Sequence, residues 1–347
     1  MKKQHILLAV AVTAIWGLNF SIIKIGLESV DPLILAGIRF ALCALPAVFF
    51  LKRPQVPWRY ITGYGLVFGV GLWGVVNLGI KAGLSSGIAS LVLQFSAFLT
   101  ILLGAVVFRE KLSRFQYAGI AVALTGLFSV TFITDGTVTL TGIALVLLGA
   151  VAWSVANILM KKAAPKETLA FLVWSSLFSP LPLFALDLAV NGTTGYTALP
   201  HQIGWTAVLS LLFQAYPNTV LGYAIWNWLL REYPVSTVAP LSLLVPIFGV
   251  LGSILLFNEP LPPLKLLAGT LIITGLIIGL YSKHPTTTTP PTPTPTETPT
   301  NNEAAAAAAN ETPTETETRD EAKAETGSDD TSDDGNNNTP IHSASQR

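Results

Sequence analysis

The chain has 347 residues, of which 51% are hydrophobic and only 12% charged, about half the charged share of a soluble domain. That composition excludes an ordinary water-soluble fold and points to a bilayer as solvent. Basic and acidic side chains balance at 20 each, but residues 1–283 hold 17 basic and 8 acidic groups and residues 284–347 hold 3 and 12, so a basic, apolar body precedes an acidic tail.

Stretches of about 20 apolar residues, enough to cross roughly 30 Å of hydrocarbon, predict an all-α membrane protein with ten transmembrane helices, near residues 5–27, 33–51, 60–80, 84–108, 115–133, 140–160, 169–190, 204–230, 236–257 and 264–282. The opening Met1-Lys2-Lys3 before an apolar run has the outline of a cleaved signal peptide. Trp16 and Lys24 have counterparts deeper in the chain, however, which makes this segment structural. The first span holds Trp16 and Asn19 and ends at Lys24. The second carries Arg39, about seven residues and so roughly 10 Å past its outer edge, and Cys43, which as the one cysteine excludes an intramolecular disulfide. Asn77 lies in the third span and Gln94 in the fourth; Trp153, Asn157 and Lys161 lie in the sixth. Gln214, Pro217, Asn218 and Asn227 occupy the eighth, and Pro240, Ser242 and Pro246 the ninth. Beyond Lys283 the chain alternates Thr and Pro, then runs through six alanines into acidic and polar residues. Such a tail buries too little apolar surface to offset its conformational entropy, which predicts disorder.

The apolar body is written twice. Phe108-Arg109-Glu110-Lys111-Leu112, with Thr125-Gly126-Leu127 after it, returns 149 residues later as Phe257-Asn258-Glu259-Pro260-Leu261 and Thr274-Gly275-Leu276. Trp16 and Lys24 return 137 residues later as Trp153 and Lys161. The difference of 12 predicts an insertion around Asn191 to Pro200. The divisions are a first five-helix repeat over 1–134, a second over 135–283, and the tail over 284–347.

Because five is odd, the second repeat must be inverted, and the positive-inside bias agrees. With the N terminus inside, the inner loops collect Lys2, Lys3, Lys52, Arg53, Arg59, Arg109, Lys111, Arg114, Lys161, Lys162, Lys166, Arg231 and Lys283, against Lys24, Lys81 and Lys265 outside. Both termini are then cytoplasmic, in a multi-pass protein of the bacterial inner membrane. Repeated halves of this kind belong to carriers that rock one half against the other.

Trp16-Gly17-Leu18-Asn19-Phe20, Leu35-Ala36-Gly37-Ile38-Arg39-Phe40, Gly87-Ile88-Ala89-Ser90-Leu91-Val92-Leu93-Gln94 and the run Val238 to Pro246 resemble the EamA family of the drug/metabolite transporter superfamily, over residues 5 to 283. The resemblance implies ten spans, an inward N terminus, a central cavity between the halves, and export of small amino-acid-like metabolites of the cysteine and O-acetylserine type by alternating access. A carrier of another solute, such as a sugar or drug, and a non-transporting membrane scaffold are the alternatives.

Groups that hydrocarbon penalises mark the substrate path. Arg39 is either a counter-ion for a substrate carboxylate or an anchor to loop oxygens or Asp31. Lys24 and Lys161, at equivalent places in the two halves, are either gate charges or side chains snorkelling to headgroups. Asn19, Asn77, Gln94, Asn157 and Asn218 are uncharged polar groups suited to a zwitterion or to tying helices together. Trp16 and Trp153 offer ring faces to a cation or pack. Pro217, Pro240 and Pro246 each remove a donor and free the carbonyl four residues back, those of Phe213, Ser236 and Ser242; Pro240 and Ser242 join the path on that ground. Gly65 with Gly69, and Gly275 with Gly279, are spaced for close helix contact.

Catalysis has no support. The four His residues, His5, His201, His284 and His342, pair with no carboxylate in metalloprotease spacing, and no Gly-rich phosphate loop is present. No metal, cofactor or nucleic acid is expected; the partners are a small-molecule substrate and the lipid bilayer, with a homodimer left open. With no Asp or Glu near the middle of a span, the expected transport is facilitated or by exchange rather than proton-driven.

Overall fold

The computed structural model describes residues 1–109, 111–233 and 235–280. Every regular element among them is helical, as lipid demands of a chain whose backbone donors find no water. In chain order these are α1 (Lys3–Gly26), α2 (Pro32–Ala44), α3 (Trp58–Lys81), α4 (Ser86–Phe108), α5 (Arg114–Val130), α6 (Leu140–Ala163), α7 (Thr168–Asn191), α8 (Thr194–Gln202), α9 (205–232), α10 (235–257) and α11 (Pro263–Leu280). The tail, with the disorder expected of it, lies outside the described residues, as does Glu110.

Seven helices are long and apolar enough to cross a bilayer: α1, α2 with its short 3-10 extension to Phe49, α3, α4, α6, α7 and the Pro240–Phe257 part of α10. The other three expected spans are helical where the sequence puts them, but they are weaker. The α5 helix has 17 residues, α11 offers a shorter apolar stretch over Pro263–Gly279, and α9 interrupts its apolar run with Gln214, Pro217, Asn218 and Thr219. The additional helix α8 lies where the second repeat was expected to carry its insertion, and Tyr196 on it donates to the Phe184 carbonyl at 2.7 Å.

Side-chain caps start several helices. Ser85 accepts from the Ile88 amide at 3.3 Å, Thr139 from Gly142 at 3.1 Å, and Ser113 with Gln116 closes a reciprocal capping box on α5. At the other end, α4 and α10 both stop on a left-handed residue, Arg109 (φ 55°) and Asn258 (φ 50°), which are 149 positions apart.

Further features recur at nearly the same interval. The middle of α3, Leu66–Gly74, and the middle of α9, Gln214–Leu221, both widen into π-helical turns. A break at Gln94 divides α4 into Ser86–Leu93 and Phe95–Phe108, and a 3-10 turn over Ala239–Leu243 divides α10. Where α5 meets α11, a methyl group on Gly119 would lie 2.5 Å from the Gly275 carbonyl oxygen, and one on Gly126 would lie 2.9 Å from that of Ala268. The 149-residue interval exchanges these two contacts. Small residues thus let backbones touch where lipid gives helices no hydrophobic reason to associate. On the same principle Gly65 and Gly69 of α3 lie against Ser175 and Ser179 of α7.

Candidate substrate path and end contacts

Arg39 stands two turns into α2 and is 1% exposed. Its Nη2 donates to Thr219 Oγ1 at 3.1 Å, and its guanidinium carbon lies 4.2 Å from the centre of the Trp73 ring and 5.4 Å from that of Phe40. Neither Nε nor Nη1 meets an acceptor among the described residues. Asp31, a partner considered for it, is not bonded to it. A buried guanidinium with two idle donors carries a desolvation cost of several kcal/mol that a stacked ring and one hydroxyl do not offset.

Thr219 belongs to the widened turn of α9. Its hydroxyl accepts from Arg39 and donates to the Gln214 carbonyl at 2.8 Å. The carbonyls just before Pro217 that side chains take up are those of Gln214, from Thr219, and Ala215, from Cys43 Sγ at 3.6 Å, rather than the Phe213 carbonyl expected four residues back, because the helix accommodates Pro217 by widening. Pro240 stands at the start of the 3-10 turn of α10, where a missing N–H costs little. Ser242 lies in the same turn.

The same part of α9 receives α1. Trp16 Nε1 donates to the Asn218 carbonyl at 2.9 Å, and its ring lies 5.2 Å from Tyr223 and 5.1 Å from Trp226. Asn19, one turn on along that face, is fully buried with neither side-chain atom bonded. Gln214 donates to Ser210 at 3.0 Å but leaves its oxygen unbonded, and Trp73 Nε1 is also without a partner. Idle buried polar groups on α1, α2, α3 and α9 therefore gather around the two widened turns.

Other expected path residues fall elsewhere. Asn77 donates to the Pro32 carbonyl at 3.2 Å and ties α3 to the start of α2. Gln94 sits half-buried at the break in α4. Trp153 packs against the apolar core. Asn157 is exposed, donates to Thr100 Oγ1 at 3.1 Å, and shares a cavity of about 200 Å³ with Lys111, Gln116 and Lys161. Thr219 and Tyr223 went unnoticed in the sequence. The signal for them is the four-residue recurrence Thr219, Tyr223, Asn227 along α9.

At the end of the molecule holding the α10–α11 connection, Lys24 Nζ lies 2.8 Å from Glu259 Oε1 and 4.1 Å from the Phe257 ring centre. Lys24 is thus engaged by α10 and its connection. Nearby, Lys265 pairs with Asp135 at 3.2 Å. Burial alone would raise the Asp135 carboxyl, but hydrogen bonds from Thr137 and the Lys265 ammonium hold it below the usual carboxylate value. At the opposite end Lys161 Nζ lies 4.0 Å from the Phe108 ring centre, the equivalent lysine over the equivalent phenylalanine.

Residues 3–132 and 140–281 both match the model of the EamA-like transporter family. The chain belongs to that family. It is 41% identical over 287 residues to a probable amino-acid metabolite efflux pump of Salmonella typhimurium, and 40% identical over 289 residues to a protein of the same description from Escherichia coli, each comparison covering 81% of this chain and 96% of the relative. An uncharacterized transporter of Archaeoglobus fulgidus is 28% identical over 80% of this chain and 98% of its own. A crystal structure at 16% identity shares the fold with a TM-score of 0.56, over 80% of this chain and 98% of that one. As an EamA-type transporter the chain is a multi-pass membrane protein, and transport rather than catalysis is the family's work.

Proposed function

We propose that this transporter exports small amino-acid-like metabolites of the cysteine and O-acetylserine type by alternating access between two inverted five-helix halves, with both termini in the cytoplasm. The observation that carries the proposal is Arg39, buried with two idle donors between the widened turns of α3 and α9, one turn from each half. A carboxylate fits a guanidinium fork bidentately; the idle amide of Asn19 can donate to or accept from the rest of a small polar solute, and the unbonded amide oxygen of Gln214 can accept from it. The printed description of the two relatives near 40% identity supports amino-acid metabolites as the cargo.

Alternating access is supported by the paired arrangement of the ends. Lys24 on Glu259 and Phe257 draws α1 against the α10 end, and Lys161 over Phe108 is its counterpart at the other. With ten spans, the loop 109–114 faces the cytoplasm and the loop 258–263 the outside. Coupling is by exchange or facilitated diffusion. The buried Asp187 is bonded to Asn191 near the end of α7 and off the mid-span path.

Counterflow in proteoliposomes with a panel of amino acids tests the cargo; absence of any amino-acid flux overturns it. Strict dependence on an imposed proton gradient overturns the coupling. Thiol labelling from outside that reaches Ser113→Cys but not Asn258→Cys overturns the orientation.

A further inference from the structure

A cavity of about 720 Å³ opens where α2, α6 and α9 finish and α7 begins. Lys52 and Arg53 come to it from the first half of the chain, and Lys166 and Arg231 from the second. Glu167 is its one acidic lining residue, so four cations less one carboxylate leave three net positive charges. Among the described residues no ion pair joins Glu167 to any of the four. Arg53 donates to the Val56 carbonyl at 3.2 Å and stacks 4.3 Å from the Trp58 ring centre, and Arg231 donates to the Lys166 carbonyl at 3.1 Å. Like charges on facing elements repel, and an anion between them removes that cost.

The cavity lies at headgroup level. The apolar spans Pro32–Phe49 and Leu140–Ala163 end beside it and the span Thr168–Asn191 starts there, which puts its cations at the edge of the hydrocarbon. Trp58 and Trp228, both exposed at this level, are side chains of a membrane interface. Immediately before the cations in the chain, Phe49 and Phe50 are 78% and 82% exposed, as the neighbours of acyl chains are. The connection that carries them is pinned: Trp174 Nε1 donates to the Leu51 carbonyl at 3.0 Å, and its ring meets that of Trp58 at 6.2 Å. Apolar surface, aromatic edge and fixed cations thus follow in the order in which a phospholipid presents its chains, glycerol and phosphate.

We propose that this cavity binds the headgroup of an anionic phospholipid, with Arg53 and Arg231 on the phosphodiester oxygens and the acyl chains along Phe49 and Phe50. A guanidinium meets phosphate through paired N–H donors, and Lys52 and Lys166 add charge with less fixed geometry. One phosphate so placed bridges the two halves at this end, as Lys24 on Glu259 joins them at the other. Glu167 can accept the ammonium of phosphatidylethanolamine, but a zwitterionic headgroup leaves the three net charges in place, whereas an anionic one lowers them to two. The site is a lipid site apart from Arg39 and places no demand on the cargo.

The full chain, purified in an uncharged detergent, is offered phosphatidylglycerol, phosphatidylcholine or phosphatidylethanolamine with the same acyl chains, and retained lipid is counted by native mass spectrometry. Phosphatidylglycerol is expected to bind about tenfold tighter than either zwitterionic lipid, and R53Q/R231Q to lose about that factor, in keeping with the attraction of each Lys or Arg for an anionic headgroup. The side chains of Lys52 and Lys166 make no bond or ion pair to a described residue, so K52Q/K166Q should weaken binding of phosphatidylglycerol with the fold intact, and it decides the matter if R53Q/R231Q does not fold. Glycerol 3-phosphate in excess should leave the bound lipid in place, because it brings no acyl chains to Phe49 and Phe50. Phosphatidylcholine or phosphatidylethanolamine held as tightly as phosphatidylglycerol overturns the anionic-lipid assignment, and so does a preference unchanged in the folded variants. Displacement by glycerol 3-phosphate overturns the lipid as occupant in favour of a soluble phosphate.

Discussion

The widened turns of α3 and α9 have the same backbone shape at equivalent places in the repeat, yet they are built from opposite materials. Leu66–Gly74 contains no polar side chain but the Trp73 indole, and its glycines let α7 come close. Gln214–Leu221 contains Pro217, two amides and Thr219, and one hydroxyl both takes up a freed carbonyl and grips Arg39. One turn is held open by packing from outside and the other by a hydrogen bond from within. Duplication supplied one shape twice, and the two copies divided the work: α3 provides a wall with a ring under the guanidinium, and α9 provides its polar contact.

That division predicts which changes destroy the fold and which destroy only transport. Gly69→Leu has the largest expected effect. Its first side-chain carbon would collide with the buried Ser179 side chain on α7, and overpacking of this kind costs about 1–3 kcal/mol or more. The yield of monodisperse protein in detergent should fall several-fold, with transport per folded molecule little changed. Full yield with lost transport would show that the α3 turn is not mere wall. Next comes Arg39→Ala, for which transport per folded molecule should fall about ten- to hundredfold, matching the roughly 1.5–3 kcal/mol of hydrogen bonds to a charged group. If yield and transport fall together, Arg39 is a structural anchor and the α9 turn has no special role. Thr219→Val, which removes the hydroxyl's bonds to Arg39 and the Gln214 carbonyl and a long one from Asn218 at 3.5 Å, should cut transport about fivefold, near 1 kcal/mol, while Thr219→Ser restores it. Equal loss in the Ser variant would assign the effect to packing.

Much of this comparison is written in the sequence, and the limit falls where contacts become long-range. Helix positions are legible because in a bilayer apolar length alone settles them, and the duplicated words around Phe108 and Phe257 place matching caps at Arg109 and Asn258. Pro217 announces a disturbance in α9, but whether a helix kinks or widens depends on the neighbours that recapture its carbonyls. Nothing in the local sequence disturbs α3 in the same way, since its turn depends on α7 crossing at Gly65 and Gly69. Arg39 stands out as a charge at depth, whereas its partner is 180 residues away. The repeat makes Asn157 an attractive path residue by position alone. Its exposure, beside Thr100 in a different cavity, follows from which face of α6 meets α4, and composition does not encode that.

The smallest expected effect concerns the ion pair at the α10 end. Lys24 is about one-third exposed at its side chain and Glu259 is nearly buried, so the pair is worth on the order of 0–1 kcal/mol, too little to hold the fold together. It is enough to bias a carrier whose two states differ by a few kcal/mol. Ser253, buried on α10 against Gly87 of α4, reports on that end when it is replaced by Ser253→Cys in a Cys43→Ala chain. Lys24→Gln should raise its labelling rate by a membrane-impermeant thiol reagent about two- to fivefold, the population change that such an energy commands. Glu259→Gln should also raise it, and the two together should do no more than Lys24→Gln alone, because the ion pair is one interaction and only Lys24 also lies over Phe257. Additive effects would mean that the two charges act separately. Slower labelling would mean that the pair holds the end open, and the comparison would then have to be drawn with Lys161 and Phe108 as the closing contact.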